Sequence, residues 1–315
     1  MNKLLLLTLL ALGYQTASAT SLLETFGSGV DAFTMEFVKI GNPNNAADTT
    51  GSPNPAGSVA YTYTLGKYEV SREQIDKANA AGSLGITMAD LTSFGGNGLL
   101  KPATGINWYE AAKYVNWLNT STGGTAAYKF DGSGNFQLWS STDAGYNANN
   151  MFRNSLAKYV IASSNEWYKG AYGKADGSWS NFPNGTDSAP TAVADGTAAN
   201  TAVYNGQTGP ADITNAGGLS PYGTMGQGGN VWEWNETAYD GINDTAGEFR
   251  EERGSSWGDS FSGGLDASVF SWTVPTNENI YLGFRVASVP EPSTGLLVLL
   301  GLSGLLLKRR KTGTL

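Results

Sequence analysis

The stretch Gly228-Gly229-Asn230-Val231-Trp232-Glu233-Trp234 packs two indoles, a carboxylate, an amide and two adjacent glycines together. Indoles this close in sequence anchor a core, and the glycines open backbone conformations closed to other residues. The pattern predicts a core strand entered through a tight turn, with Asn230 as a turn residue. Glu233 falls between the indoles and loses part of its water there. A desolvated carboxylate needs an arginine, backbone N–H groups or a metal ion, and the residues themselves leave all three open.

The rest of the composition bounds what can surround this strand. The chain has 315 residues, 42 of them glycine, and only 15% charged residues. That is roughly twice the usual glycine share, and it points to a loop-rich globular protein. With 9 Trp, 15 Tyr and 12 Phe there is ample material for a core. Net charge is −8; setting aside Lys3, Lys308, Arg309, Arg310, Lys311 and Glu291 leaves 14 basic and 26 acidic residues, a net of −12. Such a surface repels nucleic acid and anionic lipid, so no nucleic-acid partner is expected, while cations and neutral ligands such as sugars suit it. There is no cysteine and no histidine. Disulfides, thiolate metal sites and thiol nucleophiles are excluded. The usual base near neutral pH and the usual ligand for zinc, iron and copper are missing too.

Met1 to Ala19 reads as a secretory signal: Lys3, then the apolar run Leu4–Leu12, then the small-x-small site Ala17-Ser18-Ala19. The mature chain is expected to begin near Thr20. Alternation predicts strands at Phe33–Ile40 and Val59–Tyr68. Ser71-Arg72-Glu73-Gln74 is a capping box opening a helix to about Ala81, and a short helix is expected at Met88–Leu91. Asn107 with Glu110 caps a helix over 108–119, whose Trp108, Ala111, Ala112, Val115 and Leu118 share one face. Asp131-Gly-Ser-Gly-Asn135 is read as a hairpin turn rather than a calcium loop, because it lacks the closing bidentate carboxylate. Ser163 to Glu166 caps a third helix, to about Tyr172. Residues 173–229 show almost no periodicity. Packed loops of that length need something to hold them, and a bound ion is one candidate. Further strands are expected at 249–257 and 280–287. With no internal repeat and no linker before Ser288, residues 20–288 are expected to form one domain.

Residues 289–315 form a tail in three parts. Pro290-Glu291-Pro292 breaks any regular structure, Gly295–Leu307 is apolar, and Lys308-Arg309-Arg310-Lys311 is basic. As a helix the apolar part rises only ~22 Å, short for a full bilayer, and its basic end is expected to stay cytoplasmic. These features closely resemble the PEP-CTERM sorting signal. That resemblance implies an exosortase partner in the inner membrane of a Gram-negative bacterium, which recognises the Pro290-Glu291-Pro292 motif. The chain would be held by its C-terminal transmembrane segment until processed, then displayed at the surface or released. It also implies a link to exopolysaccharide.

The domain resembles the formylglycine-generating enzyme, or sulfatase-modifying-factor, family over roughly residues 33–287. The matching segments run in order: Gly66–Ser71, Pro102–Ala112, Ala162–Trp167, Gly229–Trp234, Arg253–Trp257 and Gly283–Ala287. The implied fold is α+β and C-type-lectin-like, with few helices, short antiparallel strands and long loops. The active members hold copper with two cysteines, and a related sulfoxide synthase holds iron with histidines. This chain has neither ligand type, and copper(I) needs soft thiolates, so no copper or iron is expected. Ile161-Ala162 stands where a leucine-proline pair is usual. The family also binds structural calcium. Carried over, this implies Glu233 as a side-chain ligand with backbone oxygens of Gly226, Gly229 and Val231, and a second site at Asn200 and Thr201. Gly226 replaces the usual Asn or Asp. The competing expectation for Glu233 is a salt bridge to Arg253 or Arg285.

Three functions follow as expectations. The first is a non-catalytic surface or matrix protein that binds exopolysaccharide or another surface ligand. The second is an oxidase of the formylglycine-generating kind, which lacks its metal ligands here. The third is a hydrolase working with carboxylates alone, for which the sequence nominates no pair; no catalytic residue is assigned.

Overall fold

A computed structural model describes residues 21–290. The signal segment, the apolar run and the basic end lie outside the described residues. Among the described residues, no helix is long and apolar enough to cross a membrane. In chain order the strands are β1 (Ser21–Phe26), β2 (Phe33–Ile40), β3 (Tyr63–Gly66), β4 (Lys129–Phe130), β5 (Phe136–Gln137), β6 (Tyr159–Ile161), β7 (Thr191–Ala192), β8 (Thr201–Ala202), β9 (Trp232–Ala238), β10 (Arg250–Arg253), β11 (Ser271–Thr273), β12 (Leu282–Phe284) and β13 (Val286–Ser288). The helices are α1 (Arg72–Gly82), α2 (Trp108–Ser121) and α3 (Ser164–Tyr172).

All three helices start where the sequence places them. Ser71, Asn107 and Ser163 each accept from the backbone N–H three residues on, and the Gln or Glu there returns the bond. Both ends of each box are satisfied locally, which is why short sequence reads them well. The expected strand Phe33–Ile40 forms over its full length, but Val59–Tyr68 shrinks to Tyr63–Gly66. Met88–Leu91 is not helical. There Ala89 N–H pairs with Thr104 O, and Leu91 N–H with Asn97 Oδ1. The stretch expected at 280–287 divides into β12 and β13, in different sheets, with Arg285 at the break. β1 has no signal in its own sequence; it is an edge strand made by pairing along β2.

A five-stranded antiparallel sheet runs β1-β2-β3-β13-β6, and a four-stranded sheet runs β11-β10-β9-β12. In the second, β9 is central, antiparallel to β10 and parallel to β12. The predicted core strand is therefore paired on both edges. Two indoles tie it to α2: Trp108 Nε1 donates to Asn235 O at 3.0 Å, and Trp234 Nε1 donates to Ile106 O at 2.9 Å. Each buries a large apolar body with its one polar group satisfied. β4 and β5 form the hairpin expected at Asp131, whose Oδ1 accepts from Ser133 N and Asn135 N.

The long loops of 173–229 are held by backbone pairing at scattered points. Val203 bridges to Gly229, Ala202 to Gly217, and Gly196 to Ala216. Asn230, at φ +63°, adds a side-chain clamp by accepting from Ala211 N at 2.8 Å.

Removing one cap should show how locally these helices are specified. Ser163→Ala is expected to cost about 1 kcal/mol of unfolding free energy, measured by urea denaturation, with the slope of the transition unchanged.

Candidate functional site

β9 has two chemically different faces. Trp232, Trp234 and Glu236 alternate with Glu233, Asn235 and Thr237. On the second face Glu233 is fully buried. Its Oε2 accepts from Arg285 Nε at 2.6 Å and from Trp167 Nε1 at 2.7 Å, and its Oε1 accepts from Arg285 Nη2 at 2.5 Å. Of the partners considered for Glu233, the structure therefore places Arg285 on both oxygens. Arg253, the other candidate, lies instead 3.6 Å from Glu251 and donates to Ser164 Oγ and to Ser52 O. Arg285 also donates to Gly66 O and Met225 O, so its guanidinium joins β9 to the end of β3 and to the loop at Met225, while Trp167 brings α3 to the same carboxylate.

The calcium expectation meets this geometry directly. A cation at Glu233 would have to compete with a guanidinium already bonded to both carboxylate oxygens. Gly226 and Gly229 do adopt left-handed turns, at φ +75° and +83°. The tightness of the turn explains the second glycine, since a Cβ there would fall 2.4 Å from Val203 O. Asn200 and Thr201 sit apart, at β8, where their carbonyls accept from Thr191 N and Gly218 N. Among the described residues no group of three or more acidic side chains is placed to hold a metal.

A second buried carboxylate lies under the same turn. Glu69 accepts from Asn230 Nδ2 at 2.6 Å and from Val231 N at 3.3 Å, both neutral donors. Burial raises its pKa well above the usual carboxylate range, and the charge of Glu233 adds to this against the pull of Arg285. Glu166 shows the opposite outcome. Burial would raise it, but Arg153 donates to both of its oxygens and holds it down at about 2. Arg153 spans to Glu236 Oε2 at 2.7 Å, so one cation serves two buried carboxylates.

The other face of β9 opens, at its first residue, onto a cleft of about 270 Å³. Trp232 and Leu282 enter it side by side because β9 and β12 run parallel in register there. β10 contributes Glu252, the loop after β10 contributes Ser256 and Asp259, and the approach to β12 contributes Asn279 and Tyr281. Asp259 organises the wall. Its Oδ2 accepts from Trp232 Nε1 at 2.9 Å, Ser255 Oγ at 2.9 Å, Ser256 N at 2.8 Å and Ser256 Oγ at 2.9 Å. The Tyr281 ring packs tilted against Trp257 with centroids 4.7 Å apart, and the Tyr281 carbonyl accepts from Trp232 N. Gly258 makes room for it, since a Cβ there would meet the Tyr281 ring at 2.5 Å. Burial pushes the Glu252 carboxyl up, and the Asp259 charge adds to it, against a hydrogen bond with Ser271. The cleft thus sets two aromatic side chains beside two carboxylates and an amide. Its volume lies near the ~300 Å³ lower end of small-molecule sites.

Residues 30–289 match the family described as the sulfatase-modifying factor enzyme 1-like domain, and residues 288–311 match the PEP-CTERM protein-sorting motif. The chain belongs to the sulfatase-modifying factor enzyme 1-like family. Solved structures of similar fold include Treponema denticola variable protein 1, 19% identical with a TM-score of 0.58, covering 87% of this chain and 100% of that one. CarF is 17% identical with a TM-score of 0.57, covering 81% and 98%. PvdO from Pseudomonas aeruginosa is 17% identical with a TM-score of 0.50, covering 85% and 98%. Likeness at this level shows the shared loop-rich α+β fold alone. No curated protein matches the chain by sequence. The sorting motif identifies this family member as an exported protein that exosortase processes and that its C-terminus anchors to the membrane of a Gram-negative bacterium.

The cleft was invisible in sequence except for Trp232 and the Arg253–Trp257 segment. Glu252 and Asp259 flank that segment, Asn279 and Tyr281 come from the approach to β12, and none follows a motif with its own spacing.

Two stability predictions follow. Arg285→Met strands Glu233 and is expected to cost about 3–5 kcal/mol, read by denaturant unfolding; a loss under 1 kcal/mol would refute the assigned pairing. For Glu69, a folded pKa raised above the ordinary 4.5 means that its contribution is fully present below that pH and is lost as pH rises through the raised value. Glu69→Gln should therefore flatten the fall of thermal stability with rising pH above 4.5, measured by calorimetry across that range.

Proposed function

We propose that this family member is a non-catalytic binding protein displayed outside the inner membrane, and that its cleft takes a neutral, polyhydroxylated ligand such as a unit of exopolysaccharide. The observation that carries the reading is the cleft itself. Trp232 and Tyr281 offer faces for the C–H surface of a sugar ring, while Glu252, Asp259 and Asn279 offer acceptors and a donor for hydroxyls. A net charge of −12 over the domain favours a neutral ligand over an anionic one. The absence of cysteine and histidine removes the side chains that bind copper or iron in oxidases of this fold.

A glycan array on the full chain is expected to give binding, and Trp232→Ala is expected to abolish it at a temperature well below the variant's own unfolding midpoint. No glycan bound, or equal binding by the variant, would remove the reading. Family membership supports an oxidase as the alternative. Incubation with copper(I) and a Cys-x-Pro-x-Arg peptide is expected to give no aldehyde by mass spectrometry, and turnover would reverse the preference. A hydrolase working with carboxylates alone is the third reading, and it would show as newly released reducing ends on the array ligands.

Calcium at the Gly226–Glu233 turn is a narrower proposal, because an ion there would have to displace or share Arg285. Calorimetric uptake with a chelator-sensitive melting temperature would support it, and neither would dismiss it.

A further inference from the structure

The chain leaves the described domain at Val289–Pro290, and two concavities flank that exit. One, of about 500 Å³, lies at the end of the five-stranded sheet and is lined by Leu22, Lys39, Thr64 and Val289. The other, of about 260 Å³, is lined by Tyr61, Asn150, Arg153 and Pro290. They meet along Val289 and Pro290 and form one continuous face. Val289 is fixed there, its N–H donating to Lys158 O at 2.8 Å. Leu22 is half exposed on edge strand β1.

We infer that this face is a docking surface for the bilayer that holds the tail. Two observations point to that occupant. The first is reach. Only residues 291–294 separate Pro290 from the apolar run that begins at Gly295, so even fully extended the connection spans at most ~18 Å. While the tail is embedded, the exit face lies within that distance of the membrane. The second is charge. The domain as a whole carries −12, yet no carboxylate lines either concavity. The nearby Glu24 and Glu36 are paired with Lys158 and Lys67, and Lys39 adds a positive charge to the lining. This part of an acidic surface is free of the repulsion an anionic headgroup layer would otherwise meet. Its apolar side chains suit the interface, where half-buried Leu and Tyr gain most from leaving water.

β9 links this face to the recognition cleft. Trp232 lines the cleft, and Glu236, about 13 Å further along the strand, holds Arg153 in the lining of the exit face. Docking at the exit face therefore leaves the cleft at the far end of the strand. This inference rests on the tail as a membrane anchor and is independent of the ligand proposed for the cleft.

The absence of native cysteine makes the test direct, since each introduced thiol is unique. The full chain, tail included, is reconstituted into nanodiscs of phosphatidylethanolamine and phosphatidylglycerol with brominated acyl chains. A fluorophore is placed at Leu22→Cys, or at Ser260→Cys, an exposed residue next in sequence to Asp259 of the cleft. Loss of fluorescence is expected at Leu22→Cys and not at Ser260→Cys. Equal loss at both sites, or greater loss at Ser260→Cys, would overturn the assignment. A second form carries a long Gly-Ser insertion after Pro292. Persistent loss at Leu22→Cys in that form means the face itself binds lipid. Its disappearance means the tether alone brought the face near, and the docking surface is refuted.

Discussion

The architecture depends on a guanidinium held against a carboxylate, both fully buried. Glu233 sits mid-sheet on a central strand, and Arg285 sits at the break between two strands of different sheets. Desolvating both charges is expensive, and only close geometry with the remaining donors satisfied offsets it. Here Arg285 also bonds Gly66 and Met225, and Glu233 also takes the Trp167 indole. The pair fixes where α3, β9 and β12 meet. A slip of one residue in β9 would send Glu233 to the Trp232 face and leave Arg285 uncompensated. Its main effect is to make one register far better than its neighbours.

The same logic recurs in the layers around it. Arg153 joins Glu166 at the start of α3 to Glu236 near the end of β9. Arg250, with no carboxylate among the described residues at salt-bridge distance, lies 4.6 Å from the Trp108 ring and 4.0 Å from Phe152, and burial lowers its pKa to about 10. Glu69 differs, since its hydrogen-bond donors are neutral and its carboxyl is pushed upward. A chain without disulfides uses these buried polar contacts, with the indole bonds of Trp108 and Trp234, to pin long loops to a small amount of regular structure.

That frame leaves one end of β9 free to do something else. The cleft at Trp232 is built from positions that the buried pairs fix but do not occupy. Asp259 spends one oxygen on four donors, which locks the indole and the turn in place. Such a wall is fixed by its own hydrogen bonds, which would lower the ordering cost of the binding proposed for it.

Some of this is written locally in the chain. Capping boxes at Ser71, Asn107 and Ser163 close within four residues, so they fix helix starts without help. The alternation of Phe33–Ile40 needs only a core on one side, and the turn before Trp232 needs only Gly229 and Asn230. The family motifs and the sorting tail were equally legible, as were the missing cysteines and histidines. Tertiary structure decided the rest, because it depends on residues far apart in sequence meeting without water. Sequence left Glu233 with a choice between an ion and two arginines, and only the packing of β12 against β9 set Arg285 on both its oxygens. Edge strand β1, the division of 280–287 and the cleft at Glu252, Asp259 and Tyr281 likewise arise from pairing between distant segments. No single segment carries enough buried surface or enough hydrogen-bonding partners to announce them.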